Sequence, residues 1–262
     1  MIVQPAVFVS HGAPTLVIEP SPARDFLAGL GAALERRLGR PRAVLVVSAH
    51  WDTDMPTVGA AAEFETIHDF DGFPDELYRI RYPARGAEDV ARAVIDRLGE
   101  AGLAARTDAA RGLDHGAWVP LRLMYPAADV PIVSLSLQPN LGARHSFRVG
   151  EALRPLRAAG VLLLGSGSIT HNLRELSARQ SGEPAHVGEF VEWIAARAEA
   201  GDAEALLDYR RKAPHAERNH PTDEHLLPFF MVLGAASAGA ALRRIHASAT
   251  FGSLRMDAFE AS

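Results

Sequence analysis

The stretch Val44-Leu45-Val46-Val47-Ser48-Ala49-His50-Trp51 decides the reading of this chain. Its aliphatic run is apolar on both faces, as a strand buried inside a parallel sheet is, and it stops on a histidine. Working outward, the same design occurs near the N-terminus in Val7-Phe8-Val9-Ser10-His11-Gly12. It occurs again in Val161-Leu162-Leu163-Leu164-Gly165-Ser166-Gly167, which runs on through Ser168, Ile169 and Thr170 to His171. Ligands of open α/β sheets bind outside the carboxyl ends of the strands. Three histidines delivered to one rim, in a chain with no cysteine, point to a divalent metal held by nitrogen.

Two more strands are predicted at about 131–137 and 242–248, and helices rich in Ala, Leu, Glu and Arg at about 22–37, 86–101, 142–158, 184–200 and 202–211. Strand and helix alternate throughout without a low-complexity linker. The expectation is one α/β domain over residues 1–262, with a central, mostly parallel sheet flanked by helices on both faces. One connection breaks the rhythm. From Trp51 to Gly86 the chain carries Pro56, the string His68-Asp69-Phe70-Asp71-Gly72-Phe73-Pro74 and Tyr82-Pro83, with little helical period. A long aromatic connection after a ligand-bearing strand is a natural pocket wall.

The charge excludes several classes. A net charge of -5, with both signs interleaved along the helices, leaves no nucleic-acid footprint. No segment reaches the roughly 18 to 20 apolar residues that cross a bilayer, and the N-terminus has no basic leader, so neither export nor membrane spanning is expected. The absence of cysteine removes disulfides, thiolate ligands and thiol nucleophiles together and agrees with a cytoplasmic location. Oligomeric state is not readable from these patterns.

Eleven histidines occur, so the task is to separate ligands from the rest. His145, His186 and His215 lie among charged or helix-surface residues and read as solvated. His246 reads as structural in a terminal strand. His11 and His50 project from rigid strand ends and lose little entropy on binding a metal. His225 lies in Asn219-His220-Pro221-Thr222-Asp223-Glu224-His225, where Thr222 is expected to cap a helix burying Phe229, Phe230 and Leu233. Spacing does not choose between His225 and the carboxylates of Asp223 and Glu224 as a further ligand. His115, after a glycine-bounded turn, and His171, after Gly165-Ser166-Gly167-Ser168, suit proton transfer, since imidazole titrates near neutrality.

Seven strings in order carry a family resemblance: Ser10-His11-Gly12-Ala13-Pro14; Ser48-Ala49-His50-Trp51; His68-Asp69-Phe70 with Gly72-Phe73-Pro74; Tyr82-Pro83-Ala84; Asp114-His115-Gly116 with Trp118-Val119-Pro120-Leu121; Thr170-His171-Asn172-Leu173; and His220-Pro221-Thr222 with His225. Together, from residue 8 to about 236, they resemble the class III extradiol ring-cleavage dioxygenases, in the branch similar to DOPA-4,5-dioxygenase. The resemblance implies an α/β domain with a mononuclear site, iron(II) for activity and zinc(II) as another metal found there. It implies His11, His50 and His225 as ligands, where the better-known branch has a glutamate in the third position. By the same likeness His171 is the active-site base and a possible fourth ligand, and His115 a second catalytic histidine. Trp51, His68, Phe70, Phe73 and His220 are the expected substrate contacts, and the partners are a small catecholic molecule and O2.

Two rivals are weighed beside this. A zinc metallohydrolase of three-histidine type would need a carboxylate base, for which Glu224, Asp223 or Asp114 would serve. A non-catalytic ligand-binding member of the same fold would not need both acid-base histidines. Arg79, Arg81, Arg174 and Arg218 are candidates for meeting a substrate carboxylate.

Overall fold

The structure is a computed structural model and describes residues 3–177, 182–237 and 239–261. Among these, ten strands are β1 Ala6–Ser10, β2 Ala43–Asp52, β3 Thr57–Gly59, β4 Arg106–Asp108, β5 Ile132–Leu137, β6 Val161–Gly167, β7 Arg243–His246, β8 Ala249–Thr250, β9 Leu254–Arg255 and β10 Ala258–Ala261. Eight of them form one sheet in the order β4-β3-β5-β2-β6-β1-β10-β7, and β8 pairs with β9 outside it. The four central strands β5, β2, β6 and β1 are parallel neighbours. Strands β10 and β7 continue the sheet in antiparallel fashion beyond β1.

Because side chains alternate along a strand, each apolar run feeds two layers. Leu45, Val47, Phe8 and Leu163 join the core under the helices Glu88–Glu100, Gly142–Leu153, Ala185–Glu199 and Leu227–Ala235. Val44, Val46, Val9 and Leu164 join the opposite core, with the helices Pro22–Leu38 and His115–Met124. This is the expected α/β sandwich, helices on both faces. Among the described residues no helix is long and apolar enough to cross a membrane.

Several local expectations change. The sequence reading passes over β3, β4 and the β8–β10 region, because strands of two to four residues carry too few apolar positions to show a period. In β10 the one charged residue, Glu260, lies buried and ion-paired with Arg37 and Arg243, which the local pattern does not reveal. The helix expected over 142–158 stops at Leu153 and tightens into a 3-10 turn, Arg154–Arg157, around Pro155. The one expected over 202–211 is broken at Asp208 into Ala203–Leu207 and Tyr209–Lys212. Thr222 caps nothing. Its hydroxyl donates to Glu224, and the apolar helix begins at Leu227, with Pro228 in its first turn, where no amide is needed.

Two close approaches set the rim. A Cβ on Gly167 would collide with the carbonyl oxygen of His225, and one on Gly165 with that of Pro228, so the start of the Leu227–Ala235 helix lies directly against β6. The pairing of β2 with β5 skips between Val47 and Asp52, a bulge that releases Ser48 to Trp51 from that ladder and re-aims His50.

Candidate metal centre

Five histidines from five separate segments gather at the carboxyl end of the parallel strands. His11 follows β1, its amide donating to Gly167 O at 3.0 Å, and is buried. His50 stands on the bulged end of β2, and His225 in the turn before the Leu227–Ala235 helix. The Nε2 atoms of His11 and His50 are 3.1 Å apart, and those of His225 and His50 3.3 Å. His115 opens the helix His115–Met124, capped by Asp114 through Ala117 N, and its ring centroid is 4.0 Å from that of His50. His171 lies parallel to His225, ring planes 9° apart with centroids 3.3 Å apart.

The partners of the other ring nitrogens set the tautomers. Ser166 donates its hydroxyl to Gly116 O, so its oxygen, 3.1 Å from His11 Nδ1, can only accept. Glu224 Oε1 accepts from His225 Nδ1 at 3.1 Å, and Asp69 Oδ2 lies 3.5 Å from His50 Nδ1. With the proton on Nδ1 in each ring, all three Nε2 atoms present bare lone pairs to one another. Such an arrangement repels itself unless a cation sits between the rings. Two nitrogens about 2.1 Å from one ion, at an angle between a right angle and the tetrahedral value, stand roughly 3.0 to 3.4 Å apart, which the observed spacings match. The outer partners Ser166, Asp69 and Glu224 are of the kind that orient metal-binding imidazoles. The residues therefore fit a divalent metal.

Burial reinforces this. Desolvation, with His50 next, holds the His11 imidazolium well below its ordinary range, and desolvation, with His171 next, does the same for His225. His50 is pushed down to about 4 by burial and by the neighbouring His115. All three are neutral imidazoles at pH 7. His171 is also lowered, chiefly by burial. Asp69 goes the other way from its burial: the loss of solvent pushes it up, but the hydrogen bond from His115 and the nearby imidazoles hold its carboxyl at about 2.

Beside the triad lies a cavity of about 250 Å³. His11, His50, His115 and His171 form its polar end, while Phe70, Phe73, Leu173, Leu176, Phe251 and Leu254 make apolar walls. Phe70 and Phe73 meet edge-on at 5.3 Å, and Phe70 reaches the His115 ring at 5.8 Å.

Not every expected contact is here. Trp51 does not line the cavity. Strand alternation turns it to the side opposite His50, where Arg111 covers its ring at 5.3 Å. His220 is fully buried, its Nε2 donating to Ile169 O at 2.7 Å, and so supports the turn that carries His225. His68 is bonded to Ile80 O and packs edge-on against Phe70 from outside the lining set. His186, read as solvated, is buried and paired with Glu175 at 2.8 Å, because its helix face packs on the segment after His171. His145 is half-buried against Gln138, His215 is exposed beside Glu189, and His246 is structural, stacked on Phe26.

The acidic candidates separate as well. Asp223 accepts from Tyr209 and pairs with Arg210, and Asp114 accepts from Ser48, Ala117 N and Arg111. Leu173, Leu176, Phe251 and Leu254 were missed as wall residues. Phe251 has a left-handed backbone, φ 48°, in a turn with Gly252, and no sequence pattern marks it. Asp69 was legible in its motif but carried no assigned role. Of the arginines, Arg218 is bound to Glu175 and Arg81 to backbone carbonyls, and no arginine or lysine is among the described residues lining the cavity.

An α/β rim bearing a histidine triad beside an aromatic cavity belongs to a recognisable class. The family described as the catalytic LigB subunit of aromatic ring-opening dioxygenase matches residues 5–256, and the chain belongs to that family. It is an extradiol ring-cleaving dioxygenase, an oxidoreductase. It is 40% identical over 243 residues, 92% of this chain and 90% of the relative, to a 4,5-DOPA dioxygenase extradiol of Beta vulgaris. A 4,5-DOPA dioxygenase extradiol of Escherichia coli (strain K12) is 37% identical over 235 residues, 88% of this chain and 84% of the relative. A crystal structure of an uncharacterized protein from Escherichia coli K12 superposes with a TM-score of 0.80 at 30% identity, covering 99% of this chain and 100% of that one.

Proposed function

We propose that residues 1–262 act as one catalytic domain that opens a catecholic ring of DOPA-like or related size, with iron(II) held by His11, His50 and His225. The observation that carries this is the convergence of three Nε2 lone pairs, with an outer oxygen facing each Nδ1, at the end of a cavity walled by Phe70 and Phe73. When bound, iron(II) supplies the redox chemistry and the open positions at which a diol and dioxygen meet. Zinc(II) fits the same donors without that redox capacity.

The chain's own groups do the rest. His171, neutral at pH 7, accepts a proton from a catechol hydroxyl and returns it later, a role that typically contributes ~100- to ten-thousand-fold. His115, with Asp69 behind its Nδ1, turns its other nitrogen toward the reacting oxygens. The apolar walls hold the ring in place and exclude water. The products retain both oxygen atoms of O2, inserted where the carbon–carbon bond beside the diol breaks.

A hydrolase is less well supported, because Asp114 and Asp223 are consumed by internal bonds and Glu224 by His225 and Thr222. The test is to load metal-free protein anaerobically with iron(II), then admit oxygen with a catechol panel that includes DOPA and protocatechuate. A yellow semialdehyde should form with at least one catechol under iron(II) and with none under zinc(II). Silence across the panel with full iron occupancy would overturn the reading.

A further inference from the structure

One carboxylate touches three parts of this site at once. Asp69 Oδ1 accepts from the backbone amide of His115 at 2.8 Å. Its Oδ2 lies 3.0 Å from His115 Nδ1 and 3.5 Å from His50 Nδ1. Its chain neighbour Phe70 forms the cavity wall, edge-on to the same His115 ring. Asp69 belongs to the irregular connection after β3, whose other anchors are bonds such as Ile67 N to Leu113 O and the Trp118 indole to Ile67 O. No other hydrogen bond, ion pair or ring contact among the described residues joins the Asp69–Phe73 part of that connection to a histidine of the triad.

We infer that Asp69 is a positioning residue through which metal occupancy at His50 and the seating of the Phe70 wall become one cooperative unit. The inference rests on reading His11, His50 and His225 as the metal-binding set.

The physical logic is linkage. A metal on His50 Nε2 fixes the proton on Nδ1 and polarises that N–H, which strengthens its attraction to Asp69. A firmer Asp69 holds His115 and Phe70 in place. The effect must run both ways: whatever seats Asp69 tightens the metal, and whatever seats the metal protects the loop. The 3.5 Å gap to His50 is then the slack that closes on loading, while the 2.8 Å bond to the His115 amide keeps the carboxylate within reach beforehand.

The test needs no turnover. Zinc(II) titration of metal-free protein compares wild type with Asp69→Asn, which keeps shape and can still accept the His115 amide but presents no charge to the two rings. Affinity should fall roughly 10- to 100-fold, the usual effect of removing a partner of a ligand imidazole. Hydrogen exchange on the wild type, with and without zinc(II), should show added protection from Ile67 to Phe73, and this gain should vanish in Asp69→Asn. Zinc-loaded protein should bind catechol under nitrogen more weakly in the variant.

Unchanged zinc affinity in a folded Asp69→Asn would overturn the inference. So would a wild-type loop whose exchange ignores zinc, a measurement that stands even if the variant fails to fold. If instead the zinc linkage appears but iron-loaded wild type opens no catechol, the ring-cleavage reading fails and the coupling stands.

Discussion

Ser166 of β6 holds His11 in place: its oxygen lies 3.1 Å from His11 Nδ1, while its own proton goes to Gly116 O on the helix that starts at His115. One hydroxyl thus ties the end of β1, the end of β6 and that helix together. Ser166→Ala leaves two buried polar groups unpaired, at a cost of about 1–3 kcal/mol each at most, and frees the His11 ring to turn or change tautomer. Thermal unfolding should shift down, and zinc(II) affinity should fall about tenfold or more by calorimetric titration. Unchanged affinity would show that His11 is oriented without Ser166.

The triad and the base candidate should separate in a pair of variants. His11→Ala should lose the metal, because two nitrogens remain where three converge. His171→Ala should keep most of its iron(II) and lose turnover by ~100- to ten-thousand-fold. Metal content by mass spectrometry alongside turnover decides it: full occupancy in His11→Ala removes that residue from the ligand set.

Gly167 tests how tightly the His225 turn is pressed on the sheet. A Cβ there would strike the His225 carbonyl and come within 3.3 Å of the Phe8 ring. Gly167→Ala should cost about 1–3 kcal/mol of overpacking and displace His225, lowering the melting temperature and the zinc(II) affinity together. A variant as stable and as tight as wild type would mean that the turn yields at no cost.

Acidification should weaken the metal-free protein in a defined window. Burial pushes His220 down to about 4, partly opposed by its bond to Ile169 O, while the unfolded chain titrates near 6.5. Between those values the unfolded state binds more protons than the folded one, so stability is complete above about pH 6.5 and falls as the pH drops toward 4, by about 3 kcal/mol. His50, also near 4, adds to the same trend. Urea unfolding of metal-free protein at pH 7.5 and pH 5 should show the loss, and His220→Gln should flatten the slope. An unaltered slope would assign the acid sensitivity to other groups.

Much of this protein was legible locally. The apolar runs of β1, β2, β5 and β6 and the helices Pro22–Leu38 and Glu88–Glu100 need only nearest-neighbour periodicity, so their boundaries agree closely with expectation, while the helix after β5 ends early at Leu153. His11 and His50 were readable for the same reason: a residue at the end of a buried strand has nowhere to go but the rim. The orientation of Trp51 was also there to be read, since it follows His50 by one step in a strand of period two. His220 and His225 were harder, because both lie in irregular chain where no period fixes a direction.

The chain by itself determined the layered sheet, the histidine-bearing rim and the aromatic connection beside it, because those depend on spacing along the backbone. Only the tertiary structure decided which nitrogens face one another, which carboxylates stand behind them and which apolar residues close the cavity. Those outcomes depend on partners far apart in sequence, such as Ser166 for His11, Asp69 for His50 and His115, and Phe251 and Leu173 for the cavity wall. A side chain on irregular backbone points where its distant partners pull it, and that pull exists only once the chain has folded.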